Sequence, residues 1–178
     1  MIITVTGGSG SGKSALGEAI ALRLQPGKKY YIATMETSGE EAACRIRRHR
    51  QMRAGKQFIT VECPVNLAAV KIPAHATVLL ECISNLAANE LFSPQGCGLE
   101  QAERKIITAL EQLAATCTHL VIITNEIFSD GLPYEKATLP YIRLMGRLNQ
   151  YLGRRSQIYL ESVYSLPLVY KGEFPWSF

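Results

Sequence analysis

Gly7-Gly8-Ser9-Gly10-Ser11-Gly12-Lys13-Ser14 follows the strand-like run Ile2–Thr6 and opens the helically spaced run Lys13–Leu24, and the fold turns on this stretch. It fits the pattern G-x-x-x-x-G-K-[ST] in the strand–loop–helix setting that the motif's mechanics require. Glycines let such a backbone curl until its N–H groups point inward at phosphate oxygens. Lys13 then reaches the β and γ phosphates of a bound nucleotide, and the Ser14 hydroxyl ligates Mg²⁺. Gly7, Gly8, Ser9, Gly10, Ser11, Gly12, Lys13 and Ser14 are therefore the candidate phosphate-binding residues, and Ser14 is a candidate metal ligand.

Outward from this loop, β-branched apolar runs alternate with longer helical stretches. Ile2–Thr6, Tyr30–Ala33, Phe58–Glu62, Thr77–Leu80, Leu120–Thr124 and Gln157–Leu160 read as strands; Lys13–Leu24, Glu40–Met52, Leu99–Ala115 and Ala137–Arg155 read as helices. This rhythm predicts an α/β, three-layer fold of the P-loop NTPase type, with a mostly parallel sheet and helices on both faces. Gln157–Leu160 and Leu166–Tyr170, separated by a short turn, are expected to close it as a C-terminal hairpin. Phe92–Gly98, Pro64–Ala76 and Asn125–Lys136 have the composition of loops. With 178 residues and neither repeat nor linker, one domain spanning residues 1–178 is expected.

Hydrophobic residues make up 47% of the chain and charged ones 19%, which excludes a mainly disordered protein. Cys44, Cys63, Cys82, Cys97 and Cys117 are odd in number and scattered, so neither a disulfide framework nor a zinc site is indicated. No apolar run approaches the roughly 18 residues of a membrane span, and the opening MIITVTGG has no basic leader. A cytoplasmic protein with reduced thiols is expected.

Two further features bear on the chemistry. Glu81, at the end of the apolar run Val78-Leu79-Leu80, stands where ligands gather in such sheets and is a candidate to hold Mg²⁺ or polarise a nucleophile; a helix-capping carboxylate is the other reading. The net charge of +4 is concentrated in Arg45, Arg47, Arg48, Arg50, Arg53 and Lys56, which surround His49. Arg45, His49 and Arg53 are spaced i, i+4, i+8 and so share one helix face. Surrounding positive charge disfavours imidazolium and keeps the ring neutral and nucleophilic, while the arginines suit a triphosphate and a departing pyrophosphate. A solvated basic face and a nucleic-acid patch remain as readings of the same charges, although few aromatics interleave them. The chain lacks an Asn-Lys-x-Asp base-reading motif and is short for an ATPase motor, which leaves a small-molecule kinase or transferase.

The sequence resembles the bifunctional adenosylcobinamide kinase and adenosylcobinamide-phosphate guanylyltransferase family of cobalamin (vitamin B12) biosynthesis, nearly end to end. The resemblance is carried by Thr6-Gly7-Gly8 through Gly12-Lys13-Ser14, Tyr31-Ile32-Ala33-Thr34, Arg45-Ile46-x-x-His49-x-x-x-Arg53, Leu79-Leu80-Glu81-Cys82, Thr124-Asn125-Glu126 and Gly146-Arg147-x-Asn149-Gln150. It implies that His49 is the nucleophile that takes GMP from GTP, with Lys13 and Glu81 as its catalytic companions. It also implies a nucleotide site of Gly7 to Ser14, Thr34, Met35, Glu36, Arg50, Gln51, Met52, Arg53, Glu62 and Glu81, with Mg²⁺ held by Ser14 and Glu81. The implied substrates are ATP or GTP with adenosylcobinamide, then GTP with adenosylcobinamide phosphate; no nucleic acid partner is implied, and the assembly would be a homotrimer. Asn125–Tyr134 departs from the family's glycine-rich pattern, and Ile127-Phe128 would either face a corrinoid or pack the loop down. Two other functions fit parts of the sequence: a plain P-loop kinase for a small alcohol, and a nucleotide-gated regulatory or RNA-binding module using the basic helix.

Overall fold

All five residues of β1 (Ile2–Thr6) are buried, as a β-branched run flanked by strands on both sides requires. The computed structural model describes residues 1–24, 27–36, 55, 57–129, 131 and 134–176. After β1 come α1 (Lys13–Arg23), β2 (Lys29–Ala33), β3 (Phe58–Glu62), a single 3₁₀ turn (Leu67–Ala69) and β4 (Thr77–Glu81). Then follow α2 (Ile83–Phe92), α3 (Leu99–Thr116), β5 (His119–Ile123), α4 (Leu139–Arg155), β6 (Ile158–Val163) and β7 (Leu166–Lys171).

Among the described residues the strands form one sheet in the order β3-β2-β4-β5-β1-β6-β7. Every neighbouring pair is parallel except β6 with β7, which are antiparallel. Tyr164 and Ser165, with φ of 50° and 66°, make the two-residue connection of that hairpin, the backbone that matches strand twist. Edge strands β3 and β7 are largely exposed, while β1, β4 and most of β5 are buried.

Alternation along the buried strands feeds two cores. Ile2, Val78, Leu80, Leu120 and Ile122 face α2, α3 and α4; Ile3, Val5, Leu79, Val121 and Ile123 face α1, together with Phe174 and Trp176. In α3, Ala102, Ile106, Ala109, Leu110 and Leu113 form the single apolar stripe of a helix lying on a sheet. Helix α4 carries Pro140 in its first turn, where its missing N–H leaves no intrahelical bond unmade, and Arg154 and Arg155 in its last, which suits the negative end of the helix dipole. The result is the expected three-layer α/β fold with its C-terminal hairpin. No described helix is long and apolar enough to cross a membrane.

Helix α2 and the 3₁₀ turn were not expected. A single residue, Cys82, separates β4 from α2, so strand passes into helix without a glycine or proline to mark the boundary. The predicted helix Glu40–Met52 lies outside the described residues.

Candidate functional site

Parallel pairing brings the C-terminal ends of six strands to one edge. Ala33 pairs with both Glu62 and Glu81, Val5 with Ile123, and Thr6 with Glu161. Ligands of open α/β sheets bind at this edge. The loop Gly7–Ser14 lies there, leaving β1 and entering α1 through Gly10 and Gly12, whose φ of 75° and 89° other residues rarely adopt.

The loop's carbonyls are tied to the protein. Gly7 O accepts from Glu126 N at 3.1 Å, and Gly8 O from Ser11 N at 3.3 Å and Lys13 Nζ at 2.9 Å. Ser11 O accepts from Ser162 Oγ and Ser165 N, both at 2.8 Å, and Gly12 O from Leu16 N at 3.0 Å. Outward carbonyls with partners are what a loop needs if its N–H groups are to serve a phosphate. Burial lowers the pKa of Lys13 below the usual lysine range, against the opposing influence of Cys82 and Glu81. Glu81 is thus within electrostatic reach of the lysine.

Glu81 ends β4 with only 9% exposure, and the Tyr31 hydroxyl donates to its Oε2. Tyr31 is two residues before Ala33, the register partner of Glu81, so both side chains project from the face that carries α1. Thr34 is fully buried: its N donates to Glu81 O at 3.0 Å, its Oγ1 donates to Cys82 O at 2.9 Å and accepts from Cys82 N at 2.7 Å. Asn89 Nδ2 donates to Thr34 O at 2.8 Å and Pro64 O at 2.9 Å, joining the segments that leave β2 and β3.

Of the predicted site residues, Gly7 to Ser14, Thr34, Met35, Glu36, Glu62 and Glu81 share this edge, with Glu62 exposed at the end of β3. His49, Arg50, Gln51, Met52 and Arg53 lie outside the described residues. Sequence reasoning missed Tyr31, Asn89, Ser162 and Ser165, whose roles depend on strand register and on a contact across most of the chain. Two grooves of about 410 and 390 Å³ run along α3 and share Leu67 and Ala68; neither is lined by a predicted site residue.

The segment after β5 is held by side chains. Thr124 Oγ1 donates to Asn149 Oδ1 at 2.7 Å, Asn149 Nδ2 donates to Asn125 O at 3.1 Å, and Asn125 Nδ2 donates to Ser84 Oγ at 2.8 Å. Ile127 packs on the core, as expected of a loop that is packed down, while Phe128 is 44% exposed.

Comparison with known proteins agrees with this architecture. A solved structure of the flagellar accessory protein FlaH from Methanocaldococcus jannaschii has a TM-score of 0.51 at 12% identity, covering 96% of this chain and 78% of that one, a likeness of fold alone. The bifunctional adenosylcobalamin biosynthesis proteins CobU of Escherichia coli (strain K12) and of Salmonella typhimurium (strain LT2) are each 32% identical to this chain. Each alignment covers 85% of this chain and 90% of the relative. The family model described as cobinamide kinase / cobinamide phosphate guanyltransferase matches residues 3–168, and with that match the chain belongs to this family.

Proposed function

We propose that this chain phosphorylates adenosylcobinamide and then joins the product to GMP, using one phosphate-binding loop for both reactions. The observation that carries the reading is the loop itself: Gly7–Ser14 at the ligand edge of the sheet, its carbonyls tied down and Lys13 influenced by Glu81. Family membership supplies the substrates.

In the first reaction the terminal hydroxyl oxygen of adenosylcobinamide attacks the γ-phosphorus of ATP or GTP; a P–O bond forms as the bond from that phosphorus to the β–γ bridging oxygen breaks, the nucleoside diphosphate leaves, and the hydroxyl proton passes to solvent. The loop's N–H groups and Lys13 hold the phosphates in line and offset the charge that shifts to the leaving oxygen. In the second, a ring nitrogen of His49 attacks the α-phosphorus of GTP, a P–N bond forms, and pyrophosphate leaves. A phosphate oxygen of adenosylcobinamide phosphate then attacks the same phosphorus, giving adenosylcobinamide-GDP and restoring the histidine. Arg50 and Arg53 suit the triphosphate, and Thr34, Met35, Glu36, Gln51, Met52 and Glu62 complete the nucleotide's surroundings in this reading.

The chain's oxygen donors suit Mg²⁺. Ser14 is the second residue of α1, next to Lys13, and the nearly buried Glu81 carboxylate lies within electrostatic reach of that lysine; a hydroxyl and a carboxylate, with phosphate oxygens, are the ligands this ion takes. Bound there, Mg²⁺ supplies positive charge to the phosphate oxygens. The family resemblance also supports a homotrimer, which light scattering of the purified chain would measure.

Incubation with GTP labelled at the α-phosphorus should leave acid-labile, alkali-stable label on the protein, and γ-label should reach adenosylcobinamide. A wild-type protein that gains no α-label, or a His49→Ala variant that gains as much, overturns the covalent step. Transfer of γ-label with no α-label on the protein would identify a plain kinase.

A further inference from the structure

The hairpin β6–β7 touches the phosphate-binding loop at three places, from the far end of the chain. Ser162, 1% exposed, donates from Oγ to Ser11 O at 2.8 Å, and Ser165 N donates to the same oxygen at 2.8 Å. The carbonyl oxygen of Ser162 lies 2.8 Å from where a Cβ on Gly7 would stand, and Ser165 Oγ lies 2.3 Å from a Cβ on Gly12. Gly8 and Gly10 have nothing within 4 Å of such an atom. The motif's glycines therefore divide. Gly8 and Gly10 face open space, whereas Gly7 and Gly12 are the positions at which the hairpin lies against the backbone.

We infer that Ser162 is a positioning residue for phosphate binding and that the turn Tyr164-Ser165 completes the same brace. The reasoning rests on the reading of Gly7–Ser14 as the nucleotide's phosphate site. A loop that turns N–H groups toward an anion must turn carbonyls away, and each carbonyl turned into protein needs a donor. Ser11 O receives two donors, both from the hairpin, while the Ser162 backbone sits against Gly7 at the loop's other end. One residue thus spans the loop from entry to crest. Because Tyr164 and Ser165 hold φ values of 50° and 66°, the turn projects its Ser165 N–H at Ser11 from a fixed backbone. Bracing before the ligand arrives lowers the ordering cost of binding, so its loss is expected to appear as weaker nucleotide affinity and a higher nucleotide KM.

The test uses the full chain with ATP and GTP as probes, titrated calorimetrically. Ser162→Ala is expected to weaken both by roughly fivefold to tenfold, the worth of one hydrogen bond to a loop that must be ordered. The KM for adenosylcobinamide should not move, and Ser162→Thr, which keeps the hydroxyl, should recover most of the affinity. A second variant inserts one glycine between Tyr164 and Ser165, at an exposed turn, displacing the Ser165 N–H without touching the core; it should weaken nucleotide binding alike. Wild-type affinity in Ser162→Ala, or in the insertion variant if Ser162→Ala does not fold, overturns the brace. Equal losses in Ser162→Ala and Ser162→Thr also overturn it, since the hydroxyl would then not matter. A wild-type chain that binds neither nucleotide would instead overturn the underlying reading of the loop.

Discussion

Tyr31→Phe removes one hydroxyl from the candidate site and leaves the packing in place. The Tyr31 ring is 2% exposed and meets Phe58 edge-on, with centroids 5.9 Å apart and planes at 72°, an arrangement that phenylalanine reproduces. What is lost is the donor to Glu81 Oε2, in a place where the carboxylate is 9% exposed and water replaces it poorly. A hydrogen bond to a charged group contributes about 1.5–3 kcal/mol. For a chain of this size each kcal/mol moves the melting temperature by roughly 2–4 °C, so a fall of about 3–12 °C is expected.

The stability loss tests the contact, and a double-mutant cycle assigns it. Tyr31→Phe, Glu81→Gln and the double variant, compared by urea unfolding, should show a coupling of about 1 kcal/mol or more, since the two groups touch. Phosphoryl transfer to adenosylcobinamide should fall in Tyr31→Phe, because the hydroxyl fixes the direction in which Glu81 presents its oxygens. Additive losses in the cycle would refute the contact. A coupled pair with wild-type transfer would refute its part in orienting Glu81.

Gly27→Ala should cost about 2 kcal/mol or more in urea unfolding, because φ there is 105° and a Cβ would stand 2.1 Å from the His75 carbonyl oxygen; an unchanged midpoint would contradict this. Glu90→Gln should cost about 1–3 kcal/mol, since the buried carboxylate accepts from Asn66 N at 2.6 Å and Cys97 N at 3.1 Å and an amide can accept from only one oxygen. Burial pushes the Cys63 thiol, helped by the charge of Glu90, and the Cys117 thiol from 9.0 up to about 11. A group raised in the fold keeps its full contribution below pH 9 and loses it as the pH climbs to about 11, because the unfolded thiols ionise first. The unfolding midpoint should thus fall more steeply over that interval in the wild type than in Cys63→Ala/Cys117→Ala; equal slopes would disprove it.

The parts of the fold legible in the sequence are those whose signal is local. The run Ile2 to Leu24 contains strand, loop and helix in one motif, and each buried strand announces itself by a β-branched run. Helix α2 was hidden because it begins at Ile83, one residue after β4, with neither glycine nor proline to mark where strand gives way to helix. The site divides on the same line. Lys13 and Glu81 could be named from their places at the start of a helix and the end of a strand. Tyr31 could not, since its contact with Glu81 exists only once β2 and β4 pair in the register Ala33 to Glu81. Ser162 and Ser11 are 151 positions apart, and only the parallel pairing of β6 with β1 brings them together.

The two reactions proposed for this chain place the same demand on the loop and different demands on what faces it. β1 lies between β5 and β6, and its loop is held from both sides: Glu126 N from the segment after β5, Ser162 and Ser165 from the hairpin. On the function proposed here, a loop tied at Gly7, Ser11 and Gly12 holds the triphosphate in one place for both reactions, so it does not choose between attack at the γ- and the α-phosphorus. That choice falls to the group that approaches. An alcohol brought over the end of the sheet meets the γ-phosphorus, and a histidine on a separate basic segment must reach the α-phosphorus. Substitutions in the basic segment should then separate the two activities, and substitutions in the loop should lower both together.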